Sequence, residues 1–338
     1  MSLETEKDRL LTTSIVVGES PKVAEPAKSN GKVSMGSIGR VSWDDANDRW
    51  KGLLCMCHAD ASSANRTLHD ILRTCRGGSR VTVRLFSTRD ADIEQIASIC
   101  IPWEDALLTS EAVIPLNKGD VGSLIYFGAN RPERISSPDT VCREWELLIE
   151  VRKAPPTAHS LPEHYRVEVL RNPSHKDVAD LCAVYQASFS RYIAEFNDAS
   201  LQNMIKENLV VVIREGNGHI IAVSQAEIAT IEIPRIVTEI GSGFWRLIEI
   251  SETACLPEWR GHGFTQICKE RLLREINRPS TIVYTESRAN HAAVLRANVN
   301  LGMKVAGRLE SHCAMESLAS DIPQEGRMAN LFVFYLPM

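Results

Sequence analysis

The chain has 338 residues, with 38 Lys and Arg against 43 Asp and Glu, a formal net charge of −5. That length predicts about two domains, and the slight acidity excludes a general phosphate-backbone binder and a polybasic membrane patch. At 44% hydrophobic and 24% charged residues the chain has enough apolar material for a sizeable core, yet no run approaches the ~18–20 residues of a membrane span. The opening stretch has no basic-then-apolar pattern and carries Glu4, Glu6 and Asp8, so a cytoplasmic location is expected. Nine cysteines are scattered without a CxxC pair, and Cys55-x-Cys57 lacks a second ligand pair. Reduced thiols are expected, with no disulfide framework and no metal.

Residues 1–38 read as a flexible tail, rich in Ser, Gly, Pro, Lys and Glu. A first unit, α/β or α+β, is expected over 39–153. It holds a helix at 67–76, a strand at 80–86, a short helix at 93–99, and strands at 111–114, 124–127 and 145–151. Residues 154–163 contain Pro155, Pro156 and Pro162 and read as a stiff linker. A second unit follows over 164–338. Helices are predicted at 176–189, 201–207, 264–276 and 290–301. Strands are predicted at 209–214, 220–228, 245–256, 281–285, 304–309 and 330–335.

The chemistry-bearing stretch runs from Ile248 to Thr265. A strand ends in a Pro-containing loop that is rich in small residues and opens directly on a helix. The first helical turn presents unpaired N–H groups at a positive dipole end, and Gly261 and Gly263 let a ligand approach the backbone closely. This is a pyrophosphate cradle in outline, with Arg260 adding a fixed positive charge. The spacing fits neither GxxxxGK[ST] nor GxGxxG.

Pro257-x-x-Arg260-Gly261-x-Gly263 between strand and helix resembles the acyl-CoA motif of the GNAT N-acetyltransferase superfamily, [QR]-x-x-G-x-[GA], which falls on Arg260, Gly263 and Thr265. Thr265 departs from the Gly or Ala of the last position. Within the superfamily, the segment from Ile248 to Gly261, Tyr185-x3-Phe189-x2-Tyr192 and Ala226-Glu227-Ile228 are similar to beta-lysine N-acetyltransferases. So are Asn47-Asp48-Arg49, the run from Glu111 to Pro115, and Arg131. Asn298 stands where that family has an aromatic, and Leu295 where it has an Asn.

The resemblance implies an α/β fold of GNAT type, a mixed twisted sheet with flanking helices, in the second unit. The smaller first unit would be a degenerate half of the same fold. It implies acetyl-CoA as acyl donor, no metal, and direct transfer to a small primary amine, an amino acid or a diamine. No nucleic-acid or membrane partner is implied, and an oligomer is open. The alternatives are a peptide or protein acceptor, or a degenerate CoA-binding regulatory module. The cofactor residues are expected to be Cys255, Leu256, Arg260, Gly261, His262, Gly263, Phe264 and Thr265.

A carboxylate base is needed to take the amine's proton. Glu249 is the first candidate and Glu252 the second. Their odd separation puts them on opposite faces of a regular strand, so both serve only if a bulge intervenes. Tyr192, Glu227 and Arg288 are candidate acceptor-binding residues, with Arg288 suited to a substrate carboxylate. A covalent acyl-cysteine through Cys255 or Cys268 is disfavoured, because the only nearby base is His262.

Overall fold

The computed structural model describes residues 13–15, 33–35, 39–56, 60–87, 93–115, 123–191, 196–232, 244–276, 281–314, 316–317, 321 and 328–337. In chain order the strands are β1 (Thr13–Ile15), β2 (Val33–Met35), β3 (Gly39–Asp44), β4 (Arg49–Met56), β5 (Arg80–Ser87), β6 (Ile101–Trp103), β7 (Ala106–Pro115) and β8 (Ser123–Asn130). They continue with β9 (Arg166–Val169), β10 (Phe189–Arg191), β11 (Leu209–Arg214), β12 (Ile220–Glu232), β13 (Phe244–Cys255), β14 (Thr281–Arg288), β15 (Lys304–Cys313), β16 (Glu316–Ser317) and β17 (Ala329–Tyr335). The helices are α1 (Ala61–Thr74), α2 (Ile93–Ala97), α3 (Pro138–Lys153), α4 (His175–Ser188), α5 (Asp198–Glu207), α6 (Phe264–Ile276) and α7 (Ala292–Asn300). No helix among the described residues is long and apolar enough to cross a membrane.

Most of the strands form one mixed sheet, whose path is β2-β3-β4-β5-β8-β7-β15-β17-β14-β13-β12-β11-β9. The path contains the same arrangement twice. In the first unit β3 and β4 are antiparallel, α1 crosses over to a parallel β5, and β8 and β7 follow antiparallel. In the second unit β12 and β13 are antiparallel, α6 crosses over to a parallel β14, and β17 and β15 follow antiparallel. A single pairing of Gly307 with Ala112 joins β15 to β7 and makes the sheet continuous.

The two arrangements differ at the parallel pair. β4 and β5 stay in register from Arg49↔Arg80 to Met56↔Ser87. β13 and β14 pair only from Arg246↔Thr281 to Glu249↔Tyr284, although both strands run on. The helix starts differ as well. The Asp60 carboxylate caps α1 by accepting from the Ser63 N–H at 2.6 Å, so the first unit fills its own helix N-terminus with a negative charge.

Each helix covers the apolar residues of the strands beneath it. Leu68, Ile71 and Leu72 of α1 pack on Val81, Val83 and Leu85 of β5. Phe264, Ile267 and Leu272 of α6 pack on Ile248 and Ile250 of β13. The alternate residues of the two units meet each other in a shared core, where Phe86 lies 5.9 Å from Trp245 and Tyr126 lies 6.3 Å from Tyr284, ring to ring. Buried polar groups hold the units at the end of β15. Arg49 donates to the His312 carbonyl at 2.7 Å, Arg134 to the Ser311 carbonyl at 2.8 Å, and the Asn47 side chain accepts from the Ala314 N–H at 2.6 Å.

One sequence expectation is corrected. Residues 145–151 are not a strand but part of α3, which Ser137 caps and Pro138 opens. The helix buries Thr140, Glu144, Leu148 and Val151 at helical spacing and leaves Trp145 and Ile149 exposed. The exposed pair completed an apolar run that mimicked a strand. The signal that decides for helix, Ser-Pro-Asp at 137–139, lies upstream of that run.

The junction has no room for a side chain. A Cβ on Gly307 would lie 2.1 Å from the Glu111 carbonyl oxygen and 2.6 Å from the Ala112 Cα, both backbone. Gly307→Ala should therefore cost about 1–3 kcal/mol, read as a fall in melting temperature. Gly216→Ala, with its nearest atom at 3.4 Å, should be close to neutral.

Candidate active site

Glu227 of β12 stands directly across from Glu249 of β13. Two residues beyond that pair, past Gln225 and Ser251, the register slips between Val223 and Gln225, and Glu252 adopts a left-handed φ of 36°. This is a β-bulge: the extra residue resets the side-chain phase and bends the strand. Glu252 therefore returns to the face that carries Glu249, and both line the same cavity. The condition on which the sequence allowed both carboxylates to face one site is met.

The cavity has a volume of about 570 Å³. It is lined by Glu227, Leu247, Glu249 and Tyr284 of the sheet and by Met204 and Glu207 of α5, and the first unit contributes Leu53 and Arg84. Four carboxylates thus face one guanidinium among the lining residues. The Arg84 Nη1 donates to the Tyr284 hydroxyl at 2.5 Å and lies 3.6 Å from the Glu249 Oε2. The Tyr284 hydroxyl in turn donates to the Glu249 Oε2 at 3.0 Å. Ser251 donates to Glu227 at 3.0 Å. The Gln225 amide donates to the Glu252 carboxylate and is itself within 3.5 Å of the Asn208 amide.

These surroundings keep protons on carboxyl groups. Burial, and then the Glu286 and Glu227 carboxylates, push Glu249 up from 4.5 to about 8, against the pull of Arg84. Burial, and then Glu252, push Glu227 up to about 7. Glu286 goes the other way. Against the cost of its burial, His312 beside it, at 3.3 Å, and Arg84 hold it down at about 2. A carboxyl group that titrates near 8 is a stronger base than an ordinary glutamate, and can take a proton from an ammonium once ionised.

On the other side of β13 lies an open edge. Past Glu249 and Tyr284 the two parallel strands part, which leaves the outer halves of β13 and β14 unpaired with each other. At the end of β13, Leu256 leads into a single 3₁₀ turn (Pro257–Trp259), and Gly261 and Gly263 take φ of 84° and 76° before α6 begins. The first helical bond runs from the Ile267 N–H to the Gly263 carbonyl at 3.0 Å, so the preceding N–H groups lie outside the helical ladder. A Cβ on Gly261 would meet nothing within 4 Å, so the space beside that glycine is open, whereas the His159 imidazole packs directly against Gly263. Arg260 is exposed and donates to the carbonyls of Cys255 and Ala187 at 3.4 and 3.3 Å, beside the loop. His262 is exposed and stacks on Phe264, which is buried; Thr265 is half-buried. An unpaired strand edge running into a glycine loop and a helix N-terminus fits an extended ligand with an anionic end.

Not every expected residue joins this site. Tyr192 lies outside the described residues. Arg288 sits at the end of β14 at 8% exposure and does not line the cavity. The guanidinium that does is Arg84, which carried no motif. Asn298 is fully buried, accepting from Lys269 Nζ at 2.7 Å and donating to Ser287 at 2.8 Å. Burial pushes the Cys255 thiol up to about 12, so it is protonated and a poor nucleophile. The eight described cysteines are free thiols, and no group of three or more metal-ligating side chains occurs among the described residues.

No protein-family profile matches the chain. It is 24% identical over 177 residues to N-acetyltransferase YodP of Bacillus subtilis, a match covering 52% of this chain and 59% of that protein. Among solved structures it is similar to Arabidopsis thaliana NAA60 in complex with acetyl-CoA, at 12% identity and a TM-score of 0.39, over 51% of this chain and 97% of that one. It is also similar to a ribosomal-protein-alanine N-acetyltransferase from Brucella melitensis, at 15% identity and a TM-score of 0.36, over 51% and 99% of the two chains.

The raised Glu249 carboxyl makes a prediction about stability. Its folded value lies above the unfolded one, so its protonated form contributes stability that is lost as pH rises from about 4.5 through about 8. Glu249→Gln removes that loss. The melting temperature of the variant relative to the parent should climb between pH 5 and pH 8 and then level off. A difference independent of pH would mean that Glu249 titrates normally.

Proposed function

We propose that the chain is an acetyl-CoA-dependent N-acetyltransferase that acetylates a small primary amine. The parting of β13 from β14 carries this reading, because it sets an open strand edge between the glycine loop and the acid-lined cavity. The similarity to an N-acetyltransferase supports the same chemistry. The donor supplies an activated acyl group as a thioester. The backbone of residues 250–255, the N–H groups opening α6, Arg260 and the turn at Gly261 and Gly263 would hold it.

The acceptor enters the cavity. Four glutamates line the cavity against one arginine and favour a cation as Glu227 and Glu249 ionise through about pH 7 and 8, and a volume of about 570 Å³ suits a small molecule. Arg288 lies outside the cavity lining, and the lining guanidinium of Arg84 is engaged by Tyr284 and Glu249, which favours a diamine over an amino acid. Glu227 and Glu252 hold the ammonium close to β13, and Glu249 accepts its proton, so that the free amine is oriented toward the donor's carbonyl. The buried Cys255 takes no part, and transfer is direct. The walls given by α5, β4 and β5 weigh against a peptide acceptor.

Thiol release measured over a panel of amines tests the acceptor class: small diamines should be turned over, and a panel active only with peptides would reject it. Gly261→Asp, at a position where a Cβ meets nothing within 4 Å, puts a negative charge beside the loop and should abolish acetyl-CoA binding in isothermal titration. Glu249→Gln should lower kcat by roughly 10²–10⁴ with acetyl-CoA affinity unchanged, and the parent's kcat should rise between pH 7 and pH 9.

A further inference from the structure

We propose that the amino-terminal unit completes the active site, with Arg84 as the positioning residue that aims the Tyr284 hydroxyl at Glu249. The inference rests on Glu249 being the base of the reaction proposed above. A tyrosine hydroxyl has a single hydrogen. The Arg84 guanidinium has no lone pair to offer, so at 2.5 Å it can only donate to the Tyr284 oxygen. The tyrosine's hydrogen is thereby turned to the Glu249 Oε2 at 3.0 Å. Arg84 also stands 3.6 Å from that same oxygen, as the cation of the pair.

The charges around Glu249 make this contact decisive. Glu227 faces it from β12 and Glu252 from its own strand. Tyr284 and Glu286 face it from β14, Tyr126 of β8 lies against the Tyr284 ring, and Glu207 of α5 lines the same cavity. All of these are acidic or neutral. Arg84 is the cation among the described lining residues, and it comes from β5, a strand of the other unit. Its side chain is 29% exposed, so it meets the cavity without being a free surface charge. Without it, Glu249 faces only like charges and stays protonated to higher pH.

The test follows Glu249 itself. Protein labelled with carbon-13 at the glutamate carboxyls is titrated, and Glu249→Gln identifies the Glu249 resonance. Arg84→Gln should raise its midpoint by about one pH unit, Tyr284→Phe should raise it by less, and Arg84→Lys should restore part of the shift. The acid limb of kcat should move in parallel, with KM for the amine changing less than kcat. An unmoved Glu249 midpoint in Arg84→Gln overturns the proposal. So does a loss confined to KM, which would make Arg84 a substrate-binding group. Tyr284→Phe carries the same test if Arg84→Gln does not fold. If Glu249→Gln leaves the parent's acid limb in place, Glu249 is not the base and the functional reading fails, while the carbon titration still reports whether Arg84 and Glu249 are coupled.

Discussion

The site depends on one residue out of phase. A regular β-strand sends every second side chain to the same face, which would separate Glu249 from Glu252. The bulge at Glu252 removes that separation at the expense of a left-handed backbone in a non-glycine residue, roughly 1–2 kcal/mol. The Gln225 amide meets the displaced carboxylate and offsets part of the cost. Bulges also bend the strand that contains them. Here the bend accompanies the parting of β13 from β14, so one local irregularity both gathers the carboxylates and opens the strand edge behind them.

The repeated topology shows what that irregularity does. β4 and β5 share the order, direction and crossover of β13 and β14, yet remain paired to Met56 and Ser87. Their helix starts on a capping aspartate, where α6 starts after a glycine loop. A paired edge and a negatively charged helix start leave no place for an anionic ligand in the first unit. What that unit supplies is a wall: Leu53 and Arg84 reach the cavity because the shared core of Phe86, Tyr126, Trp245 and Tyr284 presses the two faces together. The buried arginines Arg49 and Arg134, bonded to the end of β15, hold that arrangement.

Much of this was legible in the residues. The helix over 264–276 follows from apolar spacing after a glycine loop, and its bounds match. The strand at 209–214 is bounded by turn residues and likewise matches. The mixed α/β sheet with flanking helices was what the resemblance carried by the Ile248–Thr265 stretch implied. Helix α3 was not, because its exposed Trp145 and Ile149 filled in the pattern of a strand. Arg84 was invisible for a different reason. It belongs to no motif, and its approach to Glu249 depends on how two distant strands fold against each other. Arg288, paired with Leu331 at the end of β14, lies outside the cavity lining, a placement that spacing along the sequence does not fix. Glu252 was legible only as a conditional, since a bulge leaves no reliable trace in composition.

In the function proposed here, the open edge of β13, the glycine loop and the start of α6 form one donor slot. Amide hydrogen exchange with and without CoA tests it most directly. Exchange should slow on adding CoA in peptides covering residues 250–256 and 261–267, with the matching segments of the first unit, β4 and the start of α1, unchanged. Protection confined to the first unit, or none in the 250–267 stretch at saturating CoA, would contradict it.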